Sequence, residues 1–338
     1  MGTPTGQISA ADIRDEFGYS SGEGTMVNMG AYRVSQTVGA LSNQPLDDGI
    51  PQSGPISFND MRGKRLNVIV NYHSSNETRP STARTKYNNQ QVTVIGGFKS
   101  RPGESAGIKV KIHVNKTISS GGGINDCALR TGTGWDGETD LFIDVGEEGK
   151  IYGRGGNGGA GGDNRQAGGD GHNGNHAIGI EYGTDSEKTK VTVKSGGLIS
   201  CGFGGGGGGS ADHQGDKGEE RHANGGGGGG GAGSPAGSGG DSGEGGSQGQ
   251  DGSAGTADAG GDGGGGGNNH NQAYGGGGGN GGGTGGGPGD GATKDWDGGE
   301  AGSNGAAIRG SEGIGGEDVT IVNNGTIRGG YQWNSEVT

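Results

Sequence analysis

Apolar and polar residues alternate in short bursts along this chain, and three of the bursts share one phrase. Ala128-Leu129 is followed by Ile143-Asp-Val145, then Gly149-Lys-Ile151, then Gly153. Ala177-Ile178 leads to Val191-Thr-Val193, Gly197-Leu-Ile199 and Gly202. Ala307-Ile308 leads to Val319-Thr-Ile321, Gly325-Thr-Ile327 and Gly329. In each copy a glycine falls four positions after the last β-branched residue of the burst, and an Ile two positions after that glycine. A shorter copy runs from Ala106 through Val110, Ile112 and Val114 to Ile118. Period-two alternation predicts half-buried strands, and Asn324-Gly325 carries a hairpin signal. Units of this kind bury their apolar edges only when stacked. Leu66–Val70, Val92–Ile95 and Ile108–Val114 alternate as well, which predicts a small antiparallel β domain over 65–120 with one face buried.

Between the copies the rhythm changes to glycine, which supplies 94 of the 338 residues. Runs such as Gly204 to Gly209 and Gly225 to Gly231 cannot build a side-chain core. Helix is disfavoured too, since each Gly costs about 0.8–1.0 kcal/mol relative to Ala. A flexible linker and stacked extended strands of polyproline-II type both fit that composition. Spacing favours the stack. Gly237, Gly240, Gly243, Gly246, Gly249, Gly252 and Gly255 recur at every third position, as do Gly153, Gly156, Gly159 and Gly162. A period of three puts one glycine stripe along one edge of a three-fold helix, where a neighbouring backbone can come within hydrogen-bonding distance. Collagen needs long strict triplets rich in proline, and this chain has 8 Pro.

Composition narrows the function. Hydrophobic residues make up 25%, too few for a large conventional core, so backbone hydrogen bonding between packed segments or trimerisation must supply order. The formal charge of −13 argues against binding nucleic acid or an anionic membrane. Neither a membrane-spanning apolar stretch nor a secretory leader is visible. Cys127 and Cys201 read as two buried thiols of a protein made in a reducing cytoplasm, with a disulfide between neighbouring repeats as the alternative. Enzyme motifs are weak. GxGxxG strings are expected by chance at this glycine density, and Gly146–Lys150 lacks the P-loop spacing. Asp295-Trp-Asp297 and Asp212 to Asp216 offer oxygen ligands for calcium, without the sustained repeat of calcium β-rolls. The reading is a non-enzyme without metal or cofactor.

The first 64 residues stand apart. Gly6-Gln-Ile-Ser-Ala-Ala-Asp-Ile-Arg14 returns as Gly54-Pro-Ile-Ser-Phe-Asn-Asp-Met-Arg62. Ser9 with Asp12, and Ser57 with Asp60, predict capped starts of two short helices. A segment this small is not an independent domain, and reads as a docking arm. The expected division is 1–64 as arm, 65–120 as a small β domain, and 121–338 as β repeats enclosing the glycine-rich part.

Polar and aromatic residues interrupt the glycine runs. His172, Asn175, His213, His222, Asn269, His270, Tyr274 and Trp296 are the candidate contact residues. Aromatics give contact area at low entropy cost, and Asn and His give adaptable hydrogen bonds. The plainer alternative is ordinary solvated turns.

The repeated arm phrase resembles the opening of many tailed-phage virion proteins. The interrupted glycine tract, over roughly 150–310, resembles tail-fibre and tail-tip adhesins, similar in style to those of the T-even phages. That resemblance implies a mostly β fold with short N-terminal helices, whose β repeats enclose a bundle of polyglycine-II helices. It implies a virion protein, expected as a homotrimer, whose arm joins other virion proteins and whose loops contact a bacterial surface receptor. The alternatives are a head-decoration or spacer protein without receptor binding, and a polysaccharide depolymerase, for which no carboxylate cluster is visible.

Overall fold

The computed structural model describes residues 3–17, 51, 54–64, 67–72, 75–89, 92–94, 109–123, 126–135, 137, 139–163, 166–183, 189–216, 219–244, 248–269, 273–283 and 298–337. Strands dominate and helices are few and short. The arm contributes α1 (Ala10–Phe17) and a 3₁₀ turn at Phe58–Met61. Both starts are closed as their Ser-x-x-Asp spacing predicts: the Ser9 and Ser57 amides each donate to the Asp12 and Asp60 carboxylates at 2.7 Å. Hydrogen bonds from those serines hold both carboxyls below the usual carboxylate range. The Thr3 amide donates to the Lys64 carbonyl, tying the two ends of the arm together.

From residue 67 the chain winds as a three-sided coil. β1 (Asn67–Tyr72) and β2 (Glu77–Thr78) begin it, followed by α2 (Ala83–Asn88) and β3 (Val92–Val94). β4 (Lys109–Val114) and β5 (Thr117–Ser119) form the next turn. The full turns are β6 (Cys127–Arg130), β7 (Asp140–Val145), β8 (Lys150–Tyr152), then β9 (His176–Ile180), β10 (Thr189–Val193), β11 (Leu198–Ser200). Two hairpins intervene, β12 (Asp212–Asp216) with β13 (Glu219–Ala223), and β14 (Asn268–Asn269) with β15 (Ala273–Tyr274). β16 (Ala306–Gly310), β17 (Val319–Asn323) and β18 (Thr326–Arg328) make the last turn, and β19 (Gly330–Gln332) follows. Each full turn gives one strand to each of three sheets, ordered β17-β10-β7-β4-β1-β3, β18-β11-β8-β5-β2 and β19-β16-β9-β6, while the two opening turns feed only the first two.

The shared phrase is what sets the register. Val70, Ile112, Ile143, Val191 and Ile321 stand opposite one another along the first sheet. Ile118, Ile151, Ile199 and Ile327 do so along the second, and Leu129, Ile178 and Ile308 along the third. Their side chains meet in one buried cluster along the coil axis. The recurrent corner glycine has a local reason. A Cβ at Gly149 would collide with the Val114 carbonyl, and one at Gly325 with the Lys194 carbonyl, both on the preceding turn.

Two expectations change. β1 pairs antiparallel with β3 but parallel with β4, so strands of 65–120 enter the same parallel ladders as the later repeats. Alternation reports which face is buried and not which neighbour pairs, so it could not tell these arrangements apart. Asn324-Gly325 turns a corner between two sheets and closes no hairpin, because the parallel partner of each flanking strand lies one turn back. Cys127 and Cys201 form no disulfide, and burial pushes both thiols up to about 12.

The glycine-rich chain leaves the coil after β8 and again after β11, and returns each time to the next turn. It forms nine extended segments among the described residues: G1 (153–162), G2 (168–175), G3 (202–211), G4 (224–233), G5 (235–243), G6 (249–256), G7 (259–267), G8 (275–283) and G9 (299–305). They lie side by side and are joined by backbone hydrogen bonds repeating every third residue. G4 shows the rule. Gly225, Gly228 and Gly231 donate to carbonyls of G1. Gly226, Gly229 and Ala232 donate to G8, and Gly227, Gly230 and Gly233 to G6. Its carbonyls accept from G3, G5 and G7 by the same period. G4 thus has six neighbours, and every one of its residues is buried.

Glycine content follows this packing at its extremes. Among the described residues G9 exchanges backbone hydrogen bonds with G2 and G3, and it keeps glycine only at Gly299, Gly302 and Gly305. A Cβ there would strike the carbonyls of Gly169, His172 and Asn175. In G7 a Cβ at Gly260, Gly263 or Gly266 would strike carbonyls of G8, and one at Gly261 or Gly264 carbonyls of G6; in G8 a Cβ at Gly275, Gly278 or Gly281 would strike carbonyls of G4.

Candidate functional site

From G1 to G8 successive segments run in opposite directions, and G9 runs in the same direction as G8, so the bundle has two ends. One joins the coil, where Cys201, Phe203 and Ala232 make a small apolar cluster. At the other end lie the last residues of G1 and G5 and the hairpins β12–β13 and β14–β15. Both hairpins grow directly from bundle segments. β12 follows G3 and β13 leads into G4, while β14 and β15 are framed by G7 and G8. The two hairpins pack against each other. Their strands therefore start from backbones whose positions are set by hydrogen bonds on several sides.

The candidate contact residues separate into two groups. His213 and His222 stand directly opposite each other in the β12–β13 ladder. Asn269 lies on β14, and Tyr274 on β15 opposite Asn268. Tyr274 is 52% exposed, an unusual position for a large ring. The topology thus gathers His213, His222, Asn269 and Tyr274, distant in sequence, at the end of the bundle remote from the coil. His270 and Trp296 lie outside the described residues.

His172 and Asn175 belong elsewhere. They sit on G2, on the flank of the bundle near the coil. His172 is exposed. Asn175 is buried, with Nδ2 donating to the Gly123 carbonyl at 2.8 Å and the Gly121 carbonyl at 3.4 Å. Its amide holds the 121–123 loop against the bundle. In sequence it looked like the polar loop residues around it, because only the fold brings residue 121 to residue 175.

One class of functional side chain was missed. Asn and Asp on outer segments use a side-chain oxygen where no further carbonyl is available. Asn173 Oδ1 accepts the Ser303 amide at 2.8 Å, and Asp170 Oδ1 the Glu300 amide at 2.8 Å. Asp251 Oδ1 takes both the amide and the hydroxyl of Ser242, at 2.7 and 2.8 Å. Asn157 and Asn280 accept from Ser238 and Gly263 in the same way. These residues fasten one segment to the next. Their signal was present, since they occupy the non-glycine positions of the period-three pattern, but turn propensity accounted for them equally well.

At the junction with the coil, His176 is buried. Its Nδ1 accepts the Ala306 amide at 2.7 Å and Nε2 lies against Arg309 Nη1. Burial first, then the Arg309 charge, depress its pKa from 6.5 to about 4. Among the described residues no three His, Cys, Asp or Glu side chains gather where they could hold a metal ion, and no helix is long and apolar enough to cross a membrane.

The architecture is thus a β coil presenting a bundle of glycine segments with hairpins at its far end. The sequence profile described as phage tail fibre adhesin Gp38 matches residues 76–332, and the chain belongs to that family. It is a phage tail-fibre protein and a component of the virion. Comparison with curated proteins yields no match. A crystal structure of the gp37–gp38 adhesin tip complex of the bacteriophage S16 long tail fibre is similar at 17% identity. That alignment covers 84% of this chain and 90% of that one, with a TM-score of 0.41.

Proposed function

We propose that the protein recognises a bacterial surface receptor through the hairpins at the far end of its glycine bundle, and that the bundle is made of polyglycine-II helices. The three-residue hydrogen-bond period supports the second part. Three successive residues of G4 address three different neighbours, as a three-fold screw requires. At about 3.1 Å per residue, ten such residues reach roughly 30 Å. A bundle of that kind is a stiff post. The homotrimer expected as a source of order is not required for it, since G4 completes six neighbours within one chain.

The observation that carries the recognition reading is convergence. His213, His222, Asn269 and Tyr274 are separated along the sequence, yet their hairpins share one end of the post and pack together. Poly-glycine offers no chemical variety, so discrimination must come from what interrupts it. An exposed aromatic is the type of anchor that dominates binding energy. The Tyr274→Ala, Trp296→Ala double variant tests this. Loss of host adsorption with an unchanged melting temperature supports receptor contact. Normal adsorption would make the hairpins bystanders and the protein a spacer.

For the arm, the reading is attachment to the fibre. Residues 1–64 place Phe58 38% exposed on the same short turn that buries Met61. Particles carrying a deletion of residues 6–64 should lack the protein, while the rest of the chain remains soluble. Normal incorporation of that variant would sink the attachment role.

A further inference from the structure

A cavity of about 270 Å³ opens on the flank of the bundle, between the 121–123 loop, the start of G1 and the end of G2. It is far along the chain's fold from the hairpins, at the coil end. Its polar lining consists of Arg154, Asn157, His172, Asn173 and Asn175, with no carboxylate among the lining residues. In a chain of net charge −13 that is a local reversal of sign.

The lining offers donors. Arg154 is only loosely held: Nη1 is 3.5 Å from the Gly122 carbonyl and Nη2 is 3.5 Å from Asn157 Oδ1. Both contacts are at the limit of a hydrogen bond. Among the described residues no carboxylate lies within ion-pair distance of it. Asn157 and Asn173 commit Oδ1 to the Ser238 and Ser303 amides, which leaves each Nδ2 as the polar atom available to the cavity. His172 exposes its imidazole at the edge. The wall is built to admit the guanidinium: a Cβ at Gly122 would stand 2.8 Å from Arg154 Nη1. Asn175, through its bonds to Gly121 and Gly123, keeps that wall in place.

We infer that this cavity binds the anionic group of a single sugar unit, a carboxylate or a phosphate ester. A guanidinium with uncommitted N–H groups matches either anion in bidentate fashion. The volume lies just below the ~300–1,000 Å³ of sites for larger ligands, which suits one ring. The source of such sugars, a bacterial surface polysaccharide, rests on the receptor reading above. The binding itself does not, and is measured without cells.

The full chain is titrated calorimetrically with D-glucuronate, D-glucose 6-phosphate and D-glucose. At least one acidic sugar should bind and glucose should not, and the preferred acid identifies carboxylate or phosphate as the group recognised. Arg154→Gln should weaken that binding by about tenfold or more, the scale of one charged hydrogen bond. Arg154→Lys should retain part of it. The Arg154 backbone bonds to Ser120 Oγ and Asn175 are kept in both variants, so melting should not change. The inference is overturned if neither acid binds, if glucose binds as well as the acids, or if Arg154→Gln leaves the affinity unchanged. Acid binding in a protein whose hairpin variants adsorb normally would leave this site standing and remove the receptor reading instead.

Discussion

The coil and the bundle solve the same problem, an interior without water, with opposite materials. In the coil, apolar side chains of successive turns stack into continuous ladders, and the backbone is satisfied within sheets. In the bundle there is almost no side chain inside, and the backbone is itself the core. The first interior fixes volume and tolerates changes of shape. The second fixes the distance between backbones and tolerates no added atom where a neighbouring carbonyl stands opposite. A period of two builds the first and a period of three the second, and the chain passes between them at the glycines that follow β8 and β11.

The most severe way to probe that contrast is to add carbon to both interiors. A Cβ at Gly228 would collide with the Gly206 carbonyl, and both segments are locked on other sides. Gly228→Val should cost more than about 4 kcal/mol, in the exceptional range for one substitution, or abolish soluble expression. Exposed Ser253, on G6, should accept Val within about 0.5 kcal/mol. Equal melting temperatures for the two variants would end the argument that the backbone is the core.

The coil should respond by degree. Ile143→Ala removes buried volume from a ladder and should cost about 2–5 kcal/mol. Ile143→Leu conserves volume and should cost less than about 1.5 kcal/mol by denaturant unfolding. A Leu variant as damaged as the Ala variant would mean that the ladder demands shape as strictly as the bundle does.

The junction should report through pH. The folded pKa of His176, about 4, lies below its ordinary 6.5, so the folded state disfavours its protonation. Between those values the unfolded chain binds more protons, and stability falls as pH drops from about 6.5 to about 4. The slope approaches about 1.4 kcal/mol per unit, up to roughly 3 kcal/mol in all. His176→Gln should flatten this part of the stability profile; an unchanged profile would remove His176 as its source.

The smallest effect belongs to the side-chain fasteners. Asn173→Ala frees the Ser303 amide at an exposed edge and should cost about 1 kcal/mol, with faster hydrogen exchange at Ser303. Unaltered exchange there would show that water serves as well as Oδ1.

What could be read from the residues was whatever depends on local period. The alternation around Ile143, Val191 and Ile321 announced strands, and the spacing of their glycines announced stacking, because a pleated strand has only two faces. Gly237, Gly240 and Gly243 announced a stripe, because the backbone bonds of these segments return to the same neighbour every third residue. The Ser-x-x-Asp caps were legible for the same local reason. Tertiary structure alone decided that β4 lies parallel to β1, that G4 is the segment enclosed on all sides, and that His213 and Tyr274 share an end. It also made Asn175 a buried clamp while its neighbour His172 stayed in solvent. Period tells which edge of a segment is bare, but the choice of what lies against that edge is made by hydrogen bonds between residues up to a hundred or more positions apart, such as Gly204 with Asn304.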